Sequence, residues 1–251
     1  MKPINVVKHS AAIAFVLFSS VFAISQDNED VKTARLGLNL SPNLGWISPD
    51  NDGYSGEGVK LGLQYGLSMD FVLFNNPNYY LATGVKLSHI GGKLSHPDRP
   101  NYLGEDNDRA RGVSEANYSL RYVDVPFAIK LKTNEIGFAY YYGLFGLEGG
   151  VNIKAEADYD YTDQKGSSAE LKDVDVKDDV SLFRADLVFG GGMERTLSGN
   201  TRIVLGIHYH NGFTNIVNGR SYDLESNGSF SKDQELKNRQ HFVKLNIGIT
   251  F

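Results

Sequence analysis

The sequence predicts an all-β fold: an eight-stranded antiparallel up-and-down transmembrane β-barrel with short periplasmic turns and long external loops. Three observations predict it. Apolar and polar residues alternate with period two over stretches longer than a strand in a soluble domain usually needs. The 251 residues include 14 Tyr, 14 Phe and 27 Gly against 7 Pro, a balance of strands and turns rather than of disorder or a helical bundle. The connections between alternating stretches are by turns short and long, as in barrels that cross a membrane.

Composition removes several function classes. Apolar content of 41% and charged content of 22% are ordinary, and the length suits one large domain or two small ones. The absence of cysteine excludes disulfides, thiolate zinc sites and thiol nucleophiles. A net charge of −5 without a basic stripe argues against nucleic acid as a partner.

Taken in order, the chain opens on Lys2 and Lys8, then an apolar run from Ala11 to Phe22, then Ala23-Ile24-Ser25. This pattern marks residues 1–25 as an export signal cleaved after Ser25; a buried N-terminal helix is the alternative. The run is too short to span a bilayer as a helix, and no other stretch approaches the roughly 20 apolar residues required. No cysteine follows it to carry a lipid anchor. Residues 26–32 form a short periplasmic segment, and 33–251 form the barrel.

Eight strands are expected at about 33–46, 58–74, 78–93, 118–132, 136–154, 181–196, 200–213 and 240–251. In the second, Val59, Leu61, Leu63, Tyr65, Leu67, Met69, Phe71 and Leu73 alternate with Lys60, Gly62, Gln64, Gly66, Ser68 and Asp70. In the last, Val243, Leu245, Ile247, Ile249 and Phe251 alternate with Lys244, Asn246, Gly248 and Thr250. Turns at Asn75-Asn76-Pro77, Thr133-Asn134-Glu135 and Leu197-Ser198-Gly199 join strands pairwise on one rim. The remaining connections, 47–57, 94–117, 155–180 and 214–239, lie on the other. Pro126 falls inside the fourth strand and removes a ladder donor, so a bulge or a break is expected there.

A secreted lipocalin-like barrel also alternates, but with its apolar face inward. Here the polar face is rich in Gly, Ser and Thr with scattered charges of both signs, as a narrow filled lumen requires. The apolar face is bulky and carries aromatics near both ends. Phe71, Tyr79, Phe127, Phe138 and Phe251 lie towards the turn rim, with Trp46, Tyr209 and Phe213 towards the loop rim. These are candidate girdles at two lipid interfaces.

The exported N-terminus, Leu36-Gly37-Leu38-Asn39 with Pro42-Asn43, Val59 to Gly66, Tyr122-Val123-Asp124-Val125-Pro126-Phe127-Ala128-Ile129-Lys130 and the terminal Phe251 resemble the PorT-like porin-family outer-membrane β-barrel domain proteins. The resemblance covers essentially the whole mature chain. It implies a small outer-membrane barrel, with Phe251 similar to the signal read by the barrel-assembly machinery. Some members of that family are associated with secretion machinery, but fold-level likeness does not assign that role.

An interior of eight strands is just wide enough to be filled by side chains. The inward candidates are Arg35, Lys60, Lys86, Lys130, Arg184, Arg202 and Lys244 against Asp70, Asp124, Glu148, Asp186 and Glu194. Near balance of sign predicts an interior ion-pair network, with a polar conduit or proton path as the alternative. His208 and His210 share the inward face near the loop rim. They are either hydrogen-bonded lumen histidines, or two metal ligands, or a base oriented by Asp186 or Glu194.

From Ala155 to Asp179 nine acids stand against three lysines. Asp158, Asp160 and Asp163, and Asp50 with Asp52, are oxygen-rich turns that can hold a divalent cation, or are plain solvated loops. Cation bridging to lipopolysaccharide is a further use of them. The 94–117 loop mixes Arg99, Arg109 and Arg111 with acids, and reads as surface or as a lipid-phosphate or partner contact. No nucleophile motif of the G-x-S-x-G kind is present. The expectation is therefore a non-enzymatic outer-membrane scaffold, binding or accessory transport protein. It needs no cofactor and works through its external loops on a protein partner, within outer-membrane lipid and lipopolysaccharide. A narrow solute pore and the secreted lipocalin-like barrel are the alternatives.

Overall fold

Eight long strands close into an antiparallel ring in the computed structural model, which describes residues 33–50, 54–96, 114–162, 168–218, 220–224, 230–235 and 237–251. The signal and the periplasmic segment expected over 1–32 lie outside the described residues. In chain order the strands are β1 (Ala34–Pro49), the short β2 (Ser55–Gly58), β3 (Lys60–Leu73), β4 (Asn76–His96), β5 (Ser114–Lys132), β6 (Tyr140–Thr162), β7 (Ser168–Asp175), β8 (Phe183–Ser198), β9 (Thr201–Asn215), β10 (Arg220–Leu224), β11 (Phe230–Glu235) and β12 (Asn238–Thr250). The ring runs β4-β3-β1-β12-β9-β8-β6-β5 and returns to β4, so no ring strand is left with an unpaired edge. β1 pairs with β12, where the Phe251 amide donates to Leu36 O at 2.8 Å.

All eight expected strands are present, and three run well past their expected ends: β4 to His96, β5 from Ser114 and β6 to Thr162. β6 starts later than expected, because Gly137 at φ 67° and the Ile136↔Ala139 bridge form a turn. The β3–β4 hairpin closes on Phe74 and Asn75, both at positive φ (57° and 53°), the two-residue geometry that matches strand twist. At Pro126 the β4–β5 ladder breaks between Ala82↔Ala128 and Lys86↔Asp124 without changing register. The missing N–H therefore produces a break and no bulge on that side.

Alternation sorts the two faces. Leu36, Leu38, Leu40 and Leu44 on β1, and Phe127, Ile129 and Leu131 on β5, are all exposed on the outer surface. No charged side chain interrupts the outward run Val243–Phe251 on β12. At roughly 3.3 Å per residue and a tilt near 40°, such a run gives an apolar belt of about 20 Å, most of the roughly 25 Å apolar band of outer-membrane barrels. Of the expected girdle, Tyr79, Phe127, Phe138, Phe213 and Phe251 are exposed. Phe71 is partly buried, and Trp46 and Tyr209 stack at 6.0 Å on the loop side.

Above the belt the pattern inverts. On β5 the outward positions change from Val123 and Val125 to Arg121, Ser119, Asn117 and Glu115, while Leu120, Tyr118 and Ala116 turn inward and are buried. On β6 a bulge opposite Arg121/Tyr122 inserts one residue. Odd positions that faced out at Val151 and Ile153 then face in at Ala155, Ala157 and Tyr159. This corrects the reading of 155–180 as a plain solvated loop. Glu156, Asp158, Asp160 and Glu170 occupy the outer face of a hairpin in which β6 pairs with β7, and Ala155, Ala157, Tyr159 and Val176 fill a core with Ile47 and Leu94. The chain then passes through a 3-10 turn at Lys177–Asp179 and a Val180↔Val217 bridge. The Asn238 amide clamps Val217 by accepting from its N–H at 2.9 Å and donating to its carbonyl at 3.1 Å.

This cap generates two predictions. Leu94 is fully buried in it, so Leu94→Ala should cost the cap about 2–5 kcal/mol. Limited proteolysis from the loop side should then speed up while heat-modifiable gel mobility of the barrel is retained. Desolvation, and then Asp178, raise the Asp179 carboxyl above its ordinary value. A raised folded value means a contribution that is full below the unfolded carboxylate range and lost as pH rises through the folded value. Asp179→Asn should therefore slow cap proteolysis at pH 7, with the difference from the parent vanishing towards pH 3.

Candidate functional site: an ionic lumen

Inside the belt, period two directs one residue in two from every strand into a cylinder that water barely enters. Charges placed there must meet each other. They do so in two layers. Nearest the turn rim, Glu194 of β8 receives Lys130 and Lys132 of β5, Arg202 of β9 and Arg35 of β1. Lys132 and Arg202 lie at 3.4 Å and Arg35 at 3.9 Å. Lys130 also donates to Asp70 Oδ2 at 2.7 Å. The surplus of cation is spread over aromatic faces, with Lys132 4.7 Å from the Tyr80 centroid and Arg202 4.4 Å from that of Tyr140.

The second layer centres on Glu148 of β6. Lys86 donates to its Oε2 at 3.2 Å, Lys244 lies at 3.9 Å, and Arg184 and His210 approach Oε1 at 3.6 and 3.3 Å. Arg184 also reaches Asp124 at 3.0 Å and Asp186 at 3.3 Å. Gln64 joins the acids, donating to Ser88 Oγ, Asp124 and Glu148, while its carbonyl accepts from Lys244 at 2.6 Å. Ser88 in turn donates to Asp124. Phe242 stacks on His210 at 4.1 Å and, with Tyr122, covers the Arg184 guanidinium. Beyond that lid begins the apolar core of the cap.

Between the layers lies a cavity of about 70 Å³ whose lining includes Asp70, Lys130, Tyr142, His208, Lys244 and Asn246. His208 Nε2 sits 3.2 Å from the Tyr142 hydroxyl. Glu148, Asp186 and His210 bring one ligand atom each within 4.8 Å of one another, the one such group among the described residues. Lys86, Arg184 and Lys244 already stand at ion-pair distance from these carboxylates. A divalent ion would have to enter against three cations, so the chemistry fits an ionic lock and not a metal centre.

Eleven of the twelve residues expected to form the lumen network face the lumen: Asp70, Lys86, Asp124, Lys130, Glu148, Arg184, Asp186, Glu194, Arg202, His208 and Lys244. Lys60 does not. Where β3 begins, β1 closes directly on β4, with an added Gly45 Cβ lying 2.7 Å from Gly91 O. The Lys60 ammonium is left on the outer surface, donating to Asn117 Oδ1 at 2.9 Å and Ser119 Oγ at 2.6 Å. Lys132 takes its place in the count, and its even numbering on the same strand as Lys130 was the available signal. Gln64 and Ser88 were also missed, and both carry the inward parity of their strands.

The loop acids do not assemble as a cation site among the described residues. Asp158 Oδ1 accepts the amide of Asp173, and Asp50 pairs with Arg239 at 2.8 Å. Asp160 faces Glu115 and Glu170 across its ladders on the outer surface. Asp52 and Asp163, and the arginines Arg99, Arg109 and Arg111, lie outside the described residues.

The sequence matches the family model described as outer membrane protein beta-barrel domain over residues 24–218. No curated protein matches it. Among solved structures it is similar to Neisserial surface protein A, at 10% identity and a TM-score of 0.42 over 87% of this chain and 96% of that one. It is also similar to OprG from Pseudomonas aeruginosa, at 9% identity and TM-score 0.44 over 90% and 99%. The attachment invasion locus protein Ail of Yersinia pestis, with sucrose octasulfate, gives 14% identity and TM-score 0.35 over 88% and 100%.

The lock makes a prediction about stability. Glu148→Leu removes the carboxylate shared by Lys86, Arg184 and Lys244 and should cost about 3–5 kcal/mol in urea unfolding from bilayers. Lys60→Ala, outside the network, should stay within about 1 kcal/mol of the parent.

Proposed function

Because the chain belongs to the outer membrane protein β-barrel domain family and resides in the outer membrane, we propose that it is a sealed, non-catalytic binding platform. Its working surface is the wall that projects beyond the apolar belt. The observation that carries this reading is the filling of the lumen. Two ion-pair layers and an aromatic lid stand in the path of any solute, and the cap core of Ile47, Leu94, Tyr118 and Tyr159 closes the loop side.

The projecting wall is built for contact with a partner. Its interior is apolar and holds the strands rigid, while Glu156, Asp158, Asp160 and Glu170 hold its outside polar. Rigid elements bearing polar side chains present a recognition surface at low ordering cost. An accessory role beside secretion machinery, to which the PorT-like resemblance points without assigning it, is one form of this platform, with the partner met at the projecting wall.

The test has two parts. Reconstituted in planar bilayers, the protein should show no discrete conductance; stepwise opening would replace the platform reading with a pore. Shortening the β6–β7 hairpin to a tight turn should leave insertion and heat-modifiable mobility intact while abolishing the cellular phenotype of the gene. An unchanged phenotype would place the working surface elsewhere.

A further inference from the structure

The outer surface of β4, β5 and β6 changes character in three successive rows. The lowest is apolar, with Leu87 beside Val123 and Val123 beside Val151 in register. The next carries two cations, Arg121 opposite Lys154, with the His89 imidazole opposite Arg121 on the other side and stacked on Tyr65. The rows above carry carboxylates, with Ser119 opposite Glu156, Asn117 opposite Asp158 and Glu115 opposite Asp160. Neighbouring strands lie about 4.8 Å apart, so Arg121, Lys154 and the His89 imidazole leave the wall within roughly 10 Å of one another.

We propose that the row His89, Arg121 and Lys154 is a docking site for the phosphates of an outer-leaflet glycolipid whose acyl chains lie on Leu87, Val123 and Val151. Position supports it, because the row marks the level at which the outer face leaves the apolar belt. With the loop rim outside the cell, that level is the headgroup layer of the outer leaflet. Availability supports it too. Arg121 is exposed and forms no ion pair among the described residues. Among the described residues Lys154 pairs only with Glu156 on the solvent side, an exposed pair of the kind that contributes little and can yield to phosphate. A guanidinium offers two parallel donors to a phosphate, and Lys154 a point charge beside it.

The same level elsewhere on the ring is built differently, which argues for a localised site rather than a generic rim. On the β1-β12-β9 wall it carries Trp46, Tyr209 and His241, with Tyr209 stacked on both of the others, and Arg239 neutralised by Asp50. Lys60 and Lys93, further from the belt on the β3–β4 side, are held by Asn117 with Ser119 and by Glu115. Among the described residues, the β4–β6 wall places Arg121, which has no ion pair, and Lys154, held only by an exposed pair, at the edge of the apolar belt.

The proposal rests on the outer-membrane placement but not on the platform reading, and lipid selectivity can be read even from a barrel that conducts. The mature protein is placed in phosphatidylcholine nanodiscs containing either diphosphoryl lipid A or the same lipid dephosphorylated, and retained lipid is counted by native mass spectrometry. The parent should retain the phosphorylated form about tenfold better, the scale expected for charge-assisted contacts. Arg121→Gln with Lys154→Gln should abolish that preference. Arg121→Lys should keep most of it, and Arg195→Gln, outward at the turn rim, should change nothing. Undiminished preference in a double variant that shows heat-modifiable mobility would overturn the site. So would complete displacement of the lipid by an equimolar amount of inorganic phosphate, which needs no membrane surface. If the double variant fails to insert, Arg121→Gln alone carries the test, and retention equal to the parent refutes it.

Discussion

A charge that points into an eight-stranded barrel has only other side chains to meet, and the architecture of this protein follows from that constraint. Removing one partner of a buried ion pair is far more costly than never having built it, so each inward charge commits its neighbours. Two glutamates act as hubs because a carboxylate can accept several donors at once from different strands. Glu194 gathers cations from β1, β5 and β9, and Glu148 gathers them from β4, β8 and β12. Each hub ties strands far apart in sequence. Small residues make the room: a Cβ on Gly150 would lie 2.2 Å from Asp124 Oδ1, and one on Gly206 2.1 Å from the Tyr142 hydroxyl.

The same logic reverses where the wall leaves lipid. Outside the belt water solvates polar groups on the exterior, and an interior without lipid-driven charge pairing is most stable when apolar. β5 makes the change by residue type alone, exchanging polar for apolar on both faces at Arg121/Tyr122. β6 makes it by inserting a residue, since a one-residue slip carries a whole run of side chains to the other face. A single bulge therefore joins a membrane barrel to a water-facing one on a continuous pair of strands.

That transition explains what the sequence did and did not disclose. Within the belt, period two was legible strand by strand, and the inward parity identified the network from Asp70 to Lys244. Lys60 defied it because parity says nothing about where β1 abandons β3 and closes on β4. The reach of β6 to Thr162 was hidden because the bulge after Asn152 breaks the alternation, so acids at Glu156, Asp158 and Asp160 looked like a solvated loop. Tyr159 and Val176, the apolar half of that segment, carry the signal that outweighs the acids. Geometry within the layers, such as the stacking of Phe242 on His210, depends on contacts across the ring that no local pattern encodes.

The ring is also lopsided, and this links the lumen to the outer surface. β4, β5 and β6 hold 21, 19 and 23 residues, whereas β8, β9 and β12 hold 16, 15 and 13. All the ring strands cross the same belt, so the extra length of the first group stands above the membrane on one side. The cationic row lies at the foot of that tall wall, while the short wall meets the interface with Trp46, Tyr209 and His241. Aromatic rings tolerate any headgroup, whereas a guanidinium discriminates for phosphate. A barrel anchored in this way would keep anionic lipid beside the surface that projects furthest, and any partner approaching the tall wall would meet that lipid together with the protein.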